Sequence, residues 1–242
     1  MIKVLNSGGL GDSLMSFCKM KSSRCPFSLD IDSTKITHVE VPTTLLSAIN
    51  QFYVTQDLLV EVKAIPSWDY YHEVLKHEFD HVLGSTWDGN RDKEDTGFAT
   101  WEIEPFPDFK TPDVEHRRHD ILVAVGAGRQ ANRKFKVSDI YGFDSKHKSH
   151  DYDIAYTGVV CDASYYSGLR KSNFINKLSS VVDLIGIILN AKIVISHAGF
   201  VTYLAAAAKK KVFCVSEGLP SDLRIHPEWQ VEYIKTLEDV KL

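Results

Sequence analysis

The chain has 242 residues, of which 44% are hydrophobic and 25% are charged, and its formal net charge is −4. This length can form one large domain or two small ones with a substantial core. The small negative charge excludes a general electrostatic attraction to nucleic acid or membranes, although it leaves open a local basic patch that binds DNA.

The cysteines and the hydropathy of the chain indicate its compartment. The four cysteines form no C-x-x-C pair, so the sequence predicts reduced thiols rather than a disulfide framework. The amino terminus opens on a strand-like run, and no apolar segment is long enough to span a bilayer. We therefore expect a cytoplasmic protein without a transmembrane segment.

In the first half of the chain, short apolar runs alternate with stretches of helical periodicity. Residues 2–5 predict a strand that ends in a glycine-rich turn, and residues 13–20 predict the helix after it. Further strands are predicted at residues 27–31, 38–41, 58–62 and 81–83, with helices at residues 43–52 and 67–78. Residues 87–112 lose this pattern and are rich in Asp, Gly and Pro, so we expect a linker or a long loop there.

The second half begins with an apolar strand at residues 121–125, which Gly126-Ala127-Gly128 ends. Later strands are predicted at residues 154–156, 193–195, 212–215 and 231–234, and helices at residues 179–189, 202–208 and 236–242. Apolar strands that alternate with helices are typical of parallel sheets covered by helices on both faces. The sequence therefore predicts an α/β fold.

Two of the predicted strands end in glycine directly before a helix. The first turn contains Gly8, Gly9 and Gly11, and the second ends at Gly199, ahead of an alanine-rich helix. Such a turn exposes backbone N–H groups at the positive end of the helix dipole, and its usual ligand is a phosphate. Two such turns in one chain predict a ligand held between two α/β halves.

Three motifs resemble those of the heptosyltransferase-like glycosyltransferases, the ADP-heptose:LPS heptosyltransferase family. Residues 191–199 read AKIVISHAG and residues 204–212 read LAAAAKKKV, where the family has A-x-hydrophobic-V-I-S-x-D-[ST]-G and then H-L-A-A-A-x-x-K-P-V. Residues 9–12, GLGD, are similar to the opening Gly-Asp turn of the family. The third motif is residues 126–128, GAG, with NRKF at residues 132–135, which is similar to a Gly-Ala loop followed by a basic-aromatic pair.

The resemblance implies a GT-B fold, in which two Rossmann-like domains with parallel sheets face a central cleft. The N-terminal domain, residues 1–115, would bind the acceptor, and the C-terminal domain, residues 116–242, would bind a nucleotide-sugar. The sequence departs from the family in three places. His197 replaces an acidic residue, Thr202 replaces a histidine and Lys211 replaces a proline, which concerns the donor and the acceptor more than the fold.

By the same resemblance, Asp12 is the base that accepts the proton of the acceptor hydroxyl. Gly8, Gly9, Gly11 and Ser13 would form the acceptor-side turn around it. From the residues alone, Asp12 is equally well explained as a helix N-cap, and glycines are common in any strand–helix turn.

The donor diphosphate needs positive charge or N–H donors around it. The candidate residues on the donor side are Gly126, Gly128, Arg129, Arg133, Lys134, Ser196, His197, Gly199, Thr202 and Glu217. The basic residues among them also fit a solvated loop, and the glutamate, a candidate for the ribose or the acceptor, also fits an ordinary surface position. If basic side chains and helix dipoles neutralise the diphosphate, neither a metal nor a cofactor is required besides the UDP-, ADP- or GDP-sugar.

The sequence therefore predicts a glycosyltransferase, with inversion at the sugar carbon, whose acceptor is a glycan, an LPS-type saccharide or a hydroxymethylated DNA base. One alternative is a zinc metallopeptidase, because residues 77–81, HEFDH, fit H-E-x-x-H. Against it, Trp87 stands where a third histidine is expected, and His81 also fits the start of a strand. A second alternative is a non-catalytic nucleotide- or sugar-binding protein of the same fold.

Overall fold

The computed structural model describes residues 2–6, 14, 27–32, 59–63, 81–83, 106, 118–125, 135–148, 152–157, 174–175, 181–215 and 226–242. The chain divides into two compact units, Met1–Pro112 and Asp113–Leu242. The domain boundary at residues 115/116 that the sequence predicts lies outside the described residues and stays a prediction.

The described residues of the first unit include a parallel sheet of four strands. They are β1 (Ile2–Asn6), β2 (Phe27–Asp32), β3 (Leu59–Lys63) and β4 (His81–Leu83). Their order is β3-β2-β1-β4, so β1 is an interior strand that pairs with β2 on one side and with β4 on the other. The four strands predicted at these positions are confirmed. The strand at residues 38–41 and the helices at 43–52 and 67–78 lie outside the described residues.

The described residues of the second unit form a parallel sheet of six strands and three α-helices. The strands are β5 (His119–Ala124), β6 (Ile154–Thr157), β7 (Phe174–Ile175), β8 (Ala191–His197), β9 (Lys211–Val215) and β10 (Val231–Ile234). The helices are α1 (Val137–Lys148), α2 (Val181–Asn190) and α3 (Phe200–Ala207). The strand order is β10-β9-β8-β5-β6-β7, and every neighbouring pair is parallel.

Helices cover both faces of this second sheet. Successive side chains of a strand point to opposite faces, so the contacts of neighbouring residues show which helix covers each face. Ile121 and Val123 of β5 pack in one core with Ile140 and Phe143 of α1. On the other face, Ser196 and Cys214 lie against Thr202 of α3. The central strands are buried on both faces, which explains why they read as continuous apolar runs.

The sequence predictions for the second unit hold for the strands and for two helices. Helix α2 follows the predicted residues 179–189 within two residues at each end, and α3 begins two residues before residue 202. The helix predicted at residues 236–242 is wrong, because only a 3₁₀ turn forms there, at Leu237–Asp239. One such turn already brings Leu237 and Val240 into the core, each 1% exposed, so no longer helix is needed to bury them.

At the carboxyl end of α3, Lys209 has a backbone conformation that is unfavourable for a residue with a Cβ atom. Lys209 has a φ of +60°, in the left-handed region where glycine is common. The Lys209 N–H donates to the carbonyl of Ala206 at 3.0 Å, and the Lys210 N–H donates to that of Ala205 at 2.9 Å. This pair of bonds is the Schellman arrangement that ends many helices, and it requires the left-handed residue.

We expect Lys209→Gly to raise the free energy of unfolding by about 1 kcal/mol, because glycine adopts a left-handed φ without a Cβ clash. Lys209→Asn should have a smaller effect of the same sign, and Lys209→Val should lower stability. Urea denaturation of the three variants gives the order. A glycine variant no more stable than the valine variant would contradict the role given to this φ angle.

Candidate functional site

The strand order of the second unit identifies one edge of its sheet as the place for a ligand. The chain runs outward from β5 through β6 to β7, then returns to form β8 on the other side of β5. In open α/β sheets, ligands bind outside the carboxyl ends of the strands at this reversal. The candidate site is therefore the edge where β5 ends at Ala124 and β8 ends at His197.

The turn between β8 and α3 contains a glycine in an unusual backbone conformation. Gly199 has a φ of +156° and a ψ of −163°, a region that is essentially restricted to glycine. A Cβ atom placed on Gly199 would meet no described heavy atom within 4 Å. The backbone therefore requires glycine for its conformation, and among the described residues no atom crowds a Cβ at this position.

The amino terminus of α3 presents uncapped N–H donors at this turn. The Tyr203 N–H donates to the carbonyl of Gly199 at 3.0 Å, the first bond of the helix. The amides of Phe200, Val201 and Thr202 precede it and have no carbonyl within the helix to bind. Gly199 supplies no capping side chain, and the first turn of the helix holds no acidic residue. The positive end of the helix dipole is thus uncompensated by the helix itself, as in sites that bind anions.

Two buried hydroxyl groups hold this turn in place. The Ser196 and Thr202 hydroxyls lie 2.7 Å apart, and Thr202 also donates to the carbonyl of His197 at 2.9 Å. Ser196 is 1% exposed and Thr202 is fully buried. Their side chains therefore act inside the fold, by tying the end of β8 to the first turn of α3. The contact of these hydroxyls with a phosphate stays a prediction.

His197 lies at the end of β8 against an aromatic ring from the β5 side of the site. Its ring centroid is 4.6 Å from that of Phe135, at an interplanar angle of 32°. The Phe135 N–H donates to the carbonyl of Val125 at 3.1 Å. Val125 and Phe135 therefore both lie at the carboxyl end of β5, beside the candidate site.

Several predicted site residues lie outside the described residues. On the donor side they are Gly126, Gly128, Arg129, Arg133, Lys134 and Glu217, and on the acceptor side Gly8, Gly9, Gly11, Asp12 and Ser13. In the sequence, the acceptor-side residues follow β1, an interior strand of the first sheet that ends at Asn6. Of the helix predicted at residues 13–20, Leu14 is helical and fully buried. The roles of these residues stay predictions.

A second polar cluster lies at the opposite edge of the second sheet. The Lys192 ammonium contacts a carboxylate oxygen of Asp120 at 2.7 Å, and His119 lies 3.3 Å from a carboxylate oxygen of Asp153. The bond from Lys192 lowers the pKa of Asp120 below its usual value. These residues lie at the amino ends of β5, β6 and β8, where they join neighbouring strands away from the candidate site.

The structure bears on the zinc-peptidase alternative at one residue. His81 is the first residue of β4 and pairs with Val4 of β1. A zinc motif of the H-E-x-x-H type needs both histidines on one helix, and a helix cannot extend through a residue of this sheet. In the part of the chain that the structure describes, no group of three or more His, Cys, Asp or Glu side chains could hold a metal ion.

Sequence reasoning missed two features of the site. One is the contact between His197 and Phe135, which depends on β5 and β8 being neighbours in the sheet. The other is Thr157, the last residue of β6, whose buried hydroxyl has no hydrogen-bond partner among the described residues. A polar residue directly after the apolar run at residues 154–156 was the signal that could have identified it.

Comparison of folds identifies the architecture. The chain is similar to ADP-heptose LPS heptosyltransferase II of E. coli, with a TM-score of 0.61 and 11% identity over 99% of this chain and 95% of that one. It is similar to a family 9 glycosyltransferase of Veillonella parvula, with a TM-score of 0.61 and 9% identity over 98% and 86% of the two chains. The E. coli heptosyltransferase WaaC with ADP gives a TM-score of 0.56 and 11% identity over 99% and 94%.

These similarities confirm the fold that the sequence resemblance predicts, an α/β fold of the GT-B type. No protein-family model matches the sequence. No curated protein sequence matches it significantly. Among the described residues, no helix is long and apolar enough to cross a membrane.

Proposed function

We propose that this protein is a glycosyltransferase that moves a sugar from a nucleotide-sugar to an acceptor hydroxyl. The observation that carries the proposal is the uncapped amino terminus of α3, which opens beside Gly199 at the reversal of strand order. Proteins that share the fold over nearly the whole chain are heptosyltransferases, one of them solved with ADP and also with ADP-2-deoxy-2-fluoro heptose.

The donor diphosphate would lie at the amides of Phe200, Val201 and Thr202. Charge develops on the diphosphate as its bond to the sugar breaks, and fixed N–H donors and cations lower the energy of that state. Arg133 and Lys134 directly precede Phe135, whose ring contacts His197 at the same edge of the sheet. They, with Arg129, are the cations that we propose for the diphosphate, so that the reaction requires no metal.

Transfer would proceed by direct displacement with inversion. Asp12 accepts the proton of the acceptor hydroxyl, and the acceptor oxygen forms a bond to the anomeric carbon. The bond from that carbon to the diphosphate oxygen breaks, and its electron pair leaves with the nucleoside diphosphate. Glu217 is the proposed partner of the ribose or the acceptor. The sugar is a hexose, heptose or pentose, and its acceptor is a glycan, an LPS-type saccharide or a hydroxymethylated DNA base.

We infer a cytoplasmic location from the reduced character of the thiols that the sequence predicts. Of the two alternatives, the zinc peptidase is disfavoured by the position of His81 in a strand. The non-catalytic nucleotide-binding protein shares the proposed donor site, so measurements of turnover distinguish it from a transferase.

A thermal-shift panel of ADP-, UDP- and GDP-sugars tests the proposal on the whole chain. A donor at 100 times its Kd should stabilise the folded chain by about 2.7 kcal/mol, which raises Tm by several degrees. One nucleotide should stabilise it more than the others, and added EDTA should leave the shift unchanged. No shift with any donor at millimolar concentration, or stoichiometric zinc that is lost in His77→Ala, would contradict the proposal.

A further inference from the structure

The Thr202 hydroxyl is a buried polar group beside the turn at which we place the diphosphate. It has three neighbours among the described residues: the Ser196 hydroxyl at 2.7 Å, the His197 carbonyl at 2.9 Å and the Cys214 sulfur at 4.0 Å. Thr202 is fully buried, and Ser196 is 1% exposed. Both hydroxyls therefore lie inside the fold rather than at its surface.

The geometry fixes the direction of the hydrogen bonds between these groups. A threonine hydroxyl carries one proton, and the Thr202 hydroxyl donates it to the His197 carbonyl. The bond between Ser196 and Thr202 must then have the Ser196 hydroxyl as its donor. The result is a directed chain in which Ser196 donates to Thr202 and Thr202 donates to the backbone of His197. Consecutive hydrogen bonds of this kind strengthen one another in a buried site.

This chain of hydroxyls restrains the turn between β8 and α3. His197 is the last residue of β8 and Thr202 is the third residue of α3, so the bond between them spans Gly199. Glycine has the widest range of backbone conformations of any residue and does not fix a turn by itself. The Thr202 hydroxyl supplies the restraint from the buried side. It thereby holds the first amides of α3 in one position relative to the end of β8.

Packing alone does not explain the two hydroxyls. Both interrupt apolar segments, because residues 194–195 precede Ser196, residues 203–206 follow Thr202, and all six are fully buried and apolar. Replacing both partners of a buried hydrogen bond by apolar groups of the same shape is close to neutral for stability. A turn that must hold its amides in place for a ligand does need such a restraint.

We propose that the Thr202 side chain is a positioning group for the donor, which keeps the first amides of α3 in the orientation that binds the diphosphate by holding the His197 carbonyl. The inference rests on the proposed function, in which the diphosphate lies at these amides. Fixed N–H donors stabilise a transition state most when they do not reorient as its charge develops. Loss of the hydroxyl should therefore lower the rate of transfer as well as the affinity for the donor.

Four variants of the full chain test this role: Thr202→Val, Thr202→Ser, Ser196→Ala and the double variant Ser196→Ala/Thr202→Val. The probe is whichever of ADP, UDP and GDP the wild-type chain binds best. Thr202→Val should raise its Kd about 10-fold and lower kcat by at least as much. Thr202→Ser keeps the hydroxyl and should return both values to within about 3-fold of the wild-type chain. Ser196→Ala keeps the bond to His197 and should raise Kd only about 2- to 3-fold.

The double variant separates positioning from stability. Thr202→Val removes the partner of the Ser196 hydroxyl and the partner of the His197 carbonyl, so its Tm should fall by about 3–8 °C. The double variant also removes the serine hydroxyl and should melt above Thr202→Val. Its Kd should nevertheless stay as high as that of Thr202→Val, because the His197 carbonyl still lacks its donor. If Thr202→Val does not fold, Ser196→Ala and the double variant differ by the same hydroxyl and give the same comparison.

Tyr156→Phe is the matched control. It removes another buried hydroxyl, which donates to Asp144 at 2.9 Å on the opposite face of the same sheet. This variant should lower Tm by about 2–4 °C and leave Kd and kcat unchanged.

Three results would overturn the inference while the proposed function stands. They are wild-type affinity and turnover in Thr202→Val, a double variant that regains affinity together with Tm, and a loss of affinity in Tyr156→Phe as large as that in Thr202→Val. If the wild-type chain binds none of the three nucleotides, the proposed function fails and the inference fails with it.

Discussion

Replacing Asp12 by asparagine is expected to lower the rate of sugar transfer by about 10²- to 10⁴-fold, the usual contribution of a general base. Asparagine has the shape of aspartate but cannot accept the proton of the acceptor hydroxyl. The affinity for the nucleotide-sugar should change little, because we assign the donor to the second unit. Initial rates with the donor that the thermal-shift panel selects, together with a titration of that donor, measure both quantities.

A serine at the same position separates catalysis from helix capping. Asp12 can also act as a helix N-cap, and serine is as good an N-cap as aspartate. Asp12→Ser should therefore retain the Tm of the wild-type chain and lose transfer to the same extent as Asp12→Asn. If Asp12→Ser transfers sugar at the wild-type rate, Asp12 is not the base and its role is structural.

The second large effect is expected at Gly199. Gly199→Ala should weaken the binding of a nucleoside diphosphate by about 10- to 100-fold, because a φ of +156° is strained for alanine. The turn that presents the amides of Phe200, Val201 and Thr202 would shift, and the new methyl group would enter the space in which the diphosphate is proposed to lie. The strain should also lower the free energy of unfolding by about 1–3 kcal/mol.

Gly142→Ala is the matched control for this experiment. Gly142 is exposed in the middle of α1, and a Cβ atom there also meets no described atom within 4 Å. Alanine is favoured over glycine inside a helix, so this variant should be more stable by about 0.5–1 kcal/mol. Its nucleotide affinity should not change. Equal nucleotide affinity in Gly199→Ala and Gly142→Ala would remove the β8–α3 turn from the donor site.

The strands of the second unit could be predicted because strands that are buried on both faces consist of continuous apolar runs. Ile121–Val125 and Val212–Val215 are buried in the sheet as well as apolar in sequence. Helix α1 could not be predicted in this way. It has only a few apolar residues, such as Ile140 and Phe143, and it contains Gly142, which is unfavourable inside a helix. Its formation depends on packing against the sheet, which a local pattern does not contain.

The site could be predicted only in part, namely where a local sequence pattern is enough to specify the backbone. Glycine before an alanine-rich helix indicates an open turn whatever the surroundings, and Gly199 has the φ angle that such a turn needs. The direction of the side chains beside it depends on the pleat of β8. That pleat turns Ser196 inward to Thr202 and His197 to Phe135. The contact between His197 and Phe135 joins residues that are distant in sequence, so it requires the strand order, which the pattern of one segment does not give.

The central claim is that the amino terminus of α3 binds the diphosphate of a nucleotide-sugar. A crystal structure of the complex with the nucleoside diphosphate that binds best tests it most directly. We predict diphosphate oxygens within about 2.7–3.2 Å of the amide nitrogens of Val201 and Thr202. A nucleotide bound elsewhere, with only water at the first turn of α3, would contradict the claim.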